Sequence, residues 1–113
     1  MKVVIVGDGK VGGTIARQLS GEGHDIIVID NNTSVEGNGA SMLVQKRAGV
    51  PEADLLIAAT SADEVNMLAC LLGKKLGVPH TIARVRNPEY YEQINELKEE
   101  LGLSMTVNPE FAA

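Results

Sequence analysis

The chain has 113 residues, 44% of them apolar, a formal charge of −5 and a single cysteine. That length sustains one compact domain with a real core and leaves no room for two. An acidic balance without clustered Lys and Arg excludes a general nucleic-acid surface, and Cys70 alone excludes a disulfide scaffold or a Cys-based zinc site.

Met1 leads straight into a strand pattern, and no apolar run reaches the roughly 18 residues of a membrane span, so direct membrane insertion is not expected. Val3 to Val6 and Ile26 to Ile29 are short continuous runs rich in β-branched residues, the pattern of strands buried on both faces of a parallel sheet. Leu55 to Ala59 and Thr81 to Val85 repeat the pattern more weakly. Between the runs, Val11, Ile15 and Leu19 recur at helical spacing, as do Val65, Leu68, Leu72 and Leu76. Strands alternating with helices predict an α/β fold: a Rossmann-type doubly wound parallel sheet in a single domain over residues 1–113. Ser61 with Glu64, or Thr60 with Asp63, has capping-box spacing and predicts a helix starting near residue 61 and ending by Gly77. Asn87-Pro88-Glu89 starts another, with Tyr90, Ile94, Leu97 and Leu101 on its apolar side and Glu89, Glu92, Glu96, Glu99 and Glu100 on a solvated face. Asn108-Pro109-Glu110 repeats that start signal just before the chain stops, which reads as one domain of a longer polypeptide. Only Asn31 to Ala40 separate Asp30 from the helical pattern of Ser41 to Ala48, so the third strand of a doubly wound sheet is expected to be shortened or missing.

Gly7-Asp8-Gly9-Lys10-Val11-Gly12 is a G-x-G-x-x-G that follows a strand and opens a helix, the context in which the motif has a mechanism. Gly7 permits the tight turn, Gly9 lets backbone approach a phosphate, and Gly12 lets helix and strand pack closely. The helix N-terminus then offers free N–H groups and a positive dipole end to a pyrophosphate. Asp30 ends the second strand, 18 residues past Gly12, where a carboxylate accepts ribose hydroxyls and disfavours a 2′-phosphate. Lys10 is either a reader of a terminal phosphate or a solvated lysine. Thr60 and Ser61 end the third strand run on the ligand-binding edge, as caps or as ligand contacts. Asn38, flanked by Gly37 and Gly39, either makes a turn or reaches the adenine end.

Catalytic residues are not expected. His24 and His80 each precede a strand at no metal-site spacing, and no nucleophile elbow or P-loop occurs. Cys70 lies among Leu68, Ala69, Leu71 and Leu72 as a packing residue. Met67 to Leu72 is apolar for six consecutive positions. Such a helix needs cover on its outward side, either from a second copy of the chain or from the helix that starts at Pro88.

The stretches "MKVVIVGDGKVGGTIARQLSGEGHDIIVID", "GNGA", "ADLLIAATSADEVNMLACLLGKKLG", "TIARVRNPEYYEQ" and "NPE" together resemble the N-terminal nucleotide-binding (RCK/KTN) domain of the Trk potassium-uptake regulatory subunits, within the regulators of potassium conductance. The resemblance implies a cytoplasmic, homo-oligomeric regulator, docked at the inner face of the membrane on a potassium transporter subunit. It would bind NAD(H), with ATP and ADP as alternatives, and pass that binding to the pore. It places Gly7, Asp8, Gly9, Lys10, Val11 and Gly12 around the phosphates, Asp30 with Asn31 at the ribose, Asn38 and Gly39 at the adenine, and Thr60, Ser61 and Arg84 toward the far end of the ligand. The alternative is the cofactor-binding half of an NAD-dependent dehydrogenase, since fold alone does not decide function.

Overall fold

The computed structural model describes residues 1–7, 10–30, 37–101 and 105–107, with side chains for 1–7, 13–30, 37–97 and 99. Among the described residues five strands alternate with four α-helices: β1 (Lys2–Gly7), α1 (Lys10–Gly21), β2 (Asp25–Ile29), α2 (Met42–Arg47), β3 (Leu55–Ala59), α3 (Asp63–Lys75), β4 (His80–Arg84), α4 (Pro88–Leu101) and β5 (Met105–Val107). A 3-10 turn, Val50–Glu52, leads into β3.

Every neighbouring pair is parallel, in the order β2-β1-β3-β4-β5. Val4 stands between Ile27 and Leu56, and Val6 between Ile29 and Ala58. Because alternate strand residues share a face, these side chains, with Ala83, point to one side of the sheet. There they form the buried core with Ala69 and Cys70 of α3 and Ile94 of α4. The chain steps one way from β3 through β4 to β5 and the other way from β1 to β2. Right-handed crossovers therefore set α1 on one face and α3 and α4 on the opposite one. Val3 and Ile5, both fully buried, fill the α1 face.

Between β2 and β3 the described residues contain no strand, as the short link after Asp30 led us to expect, so β1 is the one strand beside β2. β4 runs one residue earlier than its apolar run, and β5 was not anticipated: its three residues are too short a run to register as a strand, yet they pair along β4 from Ile82 to Arg84. The Asn108-Pro109-Glu110 signal lies outside the described residues.

Helix ends follow sequence chemistry in most places. Ser41 caps α2 by accepting from the Val44 amide, and the Asn87 side chain accepts from the Glu89 amide to start α4. α3 stops in a Schellman motif: the Val78 amide reaches the Gly73 carbonyl at 3.0 Å, the Gly77 amide reaches Lys74 at 3.1 Å, and Gly77 adopts φ 113°. The start of α3 corrects the capping-box expectation. Its N-cap is Ala62, with no side-chain cap, because Thr60 and Asp63 are engaged elsewhere.

The helical spacing of Val65, Leu68, Leu72 and Leu76 left open which side of α3 is buried. Leu68 is 45% exposed and Leu76 packs partly against the core, whereas Asp63, Asn66, Ala69, Cys70 and Gly73 are buried. Small residues face the sheet because α3 lies so close to it. A Cβ at Gly73 would stand 2.5 Å from Leu56 Cδ2.

Candidate functional site

The carboxyl ends of parallel strands, where helices begin, are where doubly wound sheets form clefts. A cleft of about 320 Å³ opens there, reaching from β2 across β1 to β3. Those outer strands stand about 10 Å apart at ordinary strand spacing. Its walls carry Gly7 at the end of β1, Asp30 after β2, Asn38 and Gly39 before α2, and Thr60 and Ser61 after β3. Val6, Ile29 and Val65 make it partly apolar. Six of the expected residues thus converge in one place. Asp8, Gly9 and Asn31 lie outside the described residues. Lys10, Val11 and Gly12 form the first turn of α1, directly beyond β1.

Arg84 does not line this cleft. Its carbonyl accepts from Asn66 at 2.7 Å, and its Nε is buried without a hydrogen-bond partner among the described residues.

Gly39 is required by space. A Cβ there would overlap Val6 Cγ1 and lie 2.9 Å from Cγ2, so the loop rests directly on β1. Asn38 shapes the same loop: its side chain accepts from the Ala40 amide at 2.9 Å and its carbonyl from the Ser41 amide at 2.9 Å, a turn that spends its Oδ1 locally. Gln45, with no exposed surface, holds the loop from behind by donating to the Gly39 carbonyl at 2.7 Å and to the Ala69 carbonyl of α3 at 2.9 Å.

On the β3 side, the decisive residue is one the sequence pattern did not single out. Asn66 is fully buried and uses its whole amide. Oδ1 accepts from the Thr60 amide at 2.8 Å and its hydroxyl at 2.7 Å, while Nδ2 donates to the carbonyls of Thr60 at 3.1 Å and Arg84 at 2.7 Å. It locks the ends of β3 and β4 together. Asp63, 8% exposed, accepts from the amides of Arg86 and Asn87 at 2.8–3.0 Å. The Arg86 guanidinium donates to the Ser61 carbonyl at 2.9 Å. A polar residue on a helix flanked by Ala, Cys and Gly at i+3, i+4 and i+7 was the available signal for Asn66.

Cys70 behaves as the sequence suggested. Burial pushes its thiol up to about 12, against lesser opposing hydrogen bonds from the Ala58 backbone and the Thr81 side chain, so it is no nucleophile. His24 lies in the turn before β2, 3.6 Å from Glu22, and His80 opens β4 on the surface. No group of His, Cys, Asp and Glu among the described residues could hold a metal.

The family model of the TrkA-N domain matches residues 3–109. This chain belongs to the TrkA-N family. Among curated relatives of this TrkA-N domain, the Trk system potassium uptake protein TrkA homolog of Methanothermobacter thermautotrophicus is 36% identical over 126 positions, covering 100% of the chain and 56% of the relative. The Trk system potassium uptake protein TrkA of Haemophilus influenzae is also 36% identical, covering 97% of the chain and 28% of the relative. The chain thus spans about half the length of one and about a quarter of the other. An alignment of 126 positions over 113 residues makes the Methanothermobacter protein about a dozen residues longer in the matched stretch.

The fold is that of the GsuK RCK domain (TM-score 0.80, 23% identity, 95% of this chain and 25% of that one) and of the Shewanella denitrificans Kef CTD in its AMP-bound form (TM-score 0.83, 24% identity, 99% and 74%). A structure of GsuK bound to ADP matches with a TM-score of 0.80 and 23% identity, covering 95% of this chain and 30% of that one. The curated relatives carry the names of potassium uptake proteins. Those names support a regulatory domain of potassium transport over the dehydrogenase alternative.

Proposed function

We propose that the TrkA-N domain binds an adenine nucleotide in the cleft at the carboxyl edge of β1, β2 and β3, and that the bound state gates a membrane potassium transporter. One observation carries the reading: Gly7, Asp30, Asn38, Gly39, Thr60 and Ser61 line one cleft although they come from separate parts of the chain. The residues fit the group. The first turn of α1 offers unpaired amides and a dipole end to phosphates, Asp30 offers ribose hydroxyls a carboxylate, and Val6, Ile29 and Val65 offer the base an apolar wall. Lys10 belongs to that same first turn and would answer a terminal phosphate. NAD(H) is the dinucleotide the acid at residue 30 admits, with ATP, ADP and AMP as mononucleotide alternatives; the AMP-bound and ADP-bound relatives of the same fold support the latter.

The domain works as a homo-oligomer, at the inner face of the cell membrane through its transporter partner. Met67, which also packs against the core, borders an apolar groove of about 360 Å³ together with Leu68 and Leu71 of α3 and Leu97 of α4. Leu68 and Leu97 are 45% and 47% exposed. A second copy supplies the cover.

A nucleotide can drive the transporter only as far as it prefers one assembly geometry over another. The test is the melting midpoint of the protein with NADH, NAD, ATP, ADP and AMP in turn, because a ligand of the folded state stabilises by mass action. One or more should raise it, and Asp30→Ala should abolish the rise. No rise with any of the five refutes the reading.

A further inference from the structure

Two polar side chains on the inner face of α3 join the cleft to a helix that does not line it. The turn Thr60-Ser61-Ala62 forms the β3 wall of the cleft. Asn66 fixes Thr60 at its amide, hydroxyl and carbonyl and ties it to the end of β4 through the Arg84 carbonyl. One turn earlier on the same helix, Asp63 holds the amides of Arg86 and Asn87, and Asn87 is the residue whose side chain starts α4. The loop answers back through Arg86, whose guanidinium donates to the Ser61 carbonyl on the cleft wall. A third strut closes the frame where Tyr90 of α4 donates to Glu64 of α3 at 2.9 Å. These bonds bridge a stretch of chain in which α3 and β4 both intervene between the cleft wall and α4.

We infer that Asp63 and Asn66 are positioning residues that make the cleft wall and the first turn of α4 one mechanical unit, so that a nucleotide seated against residues 60–62 fixes α4. The inference rests on the nucleotide reading above and goes beyond it, since it names the element that receives the signal. The physical ground is that charge-assisted bonds from a carboxylate to backbone amides are the strong ones, and that a buried amide with every hydrogen-bonding position used tolerates little movement of its partners. α4 also borders the groove between α3 and α4, so a wall that orders on binding steadies one side of that groove.

Hydrogen exchange of the protein with and without saturating ADP tests this. In the parent protein, ADP is expected to slow exchange at residues 58–62 and also at residues 86–92. Asp63→Asn keeps the size of the side chain but faces one of the two amides with an NH2 group. Asp63 does not line the cleft, so ADP should still bind within about threefold of the parent affinity. Slowing at 58–62 should persist and slowing at 88–92 should be lost. Asp63→Ser, which can still accept one amide, should give an intermediate loss and takes over the test if Asp63→Asn does not melt cooperatively. Equal slowing at 88–92 in parent and variants, at retained affinity, overturns the inference, as does slowing confined to 58–62 in the parent. Absence of any slowing in the parent with each of NADH, NAD, ATP, ADP and AMP is a separate outcome, which overturns the nucleotide reading and this inference with it.

Discussion

Gly39→Ala gives a sharp test of how the cleft is built. The new methyl would overlap Val6 Cγ1 and stand 2.9 Å from Cγ2 and 3.0 Å from Cβ. Val6 is 2% exposed and lies in the core, so it has nowhere to retreat. The loop must lift off β1, and lifting stretches the 2.7 Å bond from Gln45 to the Gly39 carbonyl. Overpacking of this kind costs about 1–3 kcal/mol, and a weakened buried hydrogen bond about 1 kcal/mol more. Taking about 2 kcal/mol, and an unfolding entropy of about 2.1 cal/mol/K per residue over 113 residues, or about 0.24 kcal/mol/K, the melting midpoint should fall by about 8 °C. The assay is a calorimetric or circular-dichroism melt. Gly13→Ala serves as the control, because among the described residues its Cβ would meet only Arg17 Nη1 at 3.9 Å and an alanine inside α1 should stabilise by about 0.5–1 kcal/mol. A fall of less than about 2 °C for Gly39→Ala would show that the loop does not rest on Val6.

Asn66→Asp should be among the most damaging substitutions of the chain, because the carbonyls of Thr60 and Arg84 would face a buried carboxylate. A loss of about 3–5 kcal/mol is expected at neutral pH. Burial raises the introduced carboxyl above its unfolded value, so the folded state keeps the proton longer. Stability should then fall as pH rises through the ordinary aspartate range and above, and the variant should melt higher at pH 5 than at pH 8; equal midpoints would count against a buried site. Cys70, with its thiol pushed up to about 12, should resist a thiol reagent at pH 8 in the folded protein and react fully in denaturant. Rapid labelling without denaturant would contradict its burial. Leu68→Glu should halve the mass seen by light scattering if a second copy covers the groove, with a melting midpoint within about 2 °C of a monomer control, since Leu68 is 45% exposed. An unchanged mass would remove α3 from the interface.

The sheet was legible because its strands speak in a redundant code. β1 and β2 are β-branched runs with no competing helical period, and β3 begins and ends where its apolar run does. Local chemistry also placed the start of α4, where Asn87 caps as its sequence demands, and the end of α3 by Gly77. β5 escaped because three residues paired to an edge carry too little pattern of their own. The cleft was half legible. Gly7, Asp30, Asn38, Thr60 and Ser61 could be named from motif context and Gly39 from the resemblance, yet only the order β2-β1-β3 shows that they share one cavity. Arg84 was placed with them by resemblance, whereas its carbonyl faces Asn66 and its side chain stays out of the cleft lining.

The burial pattern of α3, which helical spacing alone did not decide, has a physical cause. A helix pressed onto a sheet is limited by distance before it is limited by polarity. Gly73 sits so close to Leu56 that an added methyl would stand 2.5 Å from Leu56 Cδ2, and small Ala69 and Cys70 are buried beside it. Once small residues occupy the inner face, two further results follow from the same geometry. Polar side chains nearer the helix start, Asp63 and Asn66, are carried inward and must find partners, which they do in the backbone of the strand ends and the loop before α4. The large apolar residues Leu68 and Leu71 are carried toward the groove along α4, where Met67 lies between that groove and the core. The close approach of one helix to one sheet therefore creates both the buried polar frame behind the cleft and the apolar groove at the surface. A change at Gly73 should disturb the two together, whereas Leu68→Glu should disturb the groove alone.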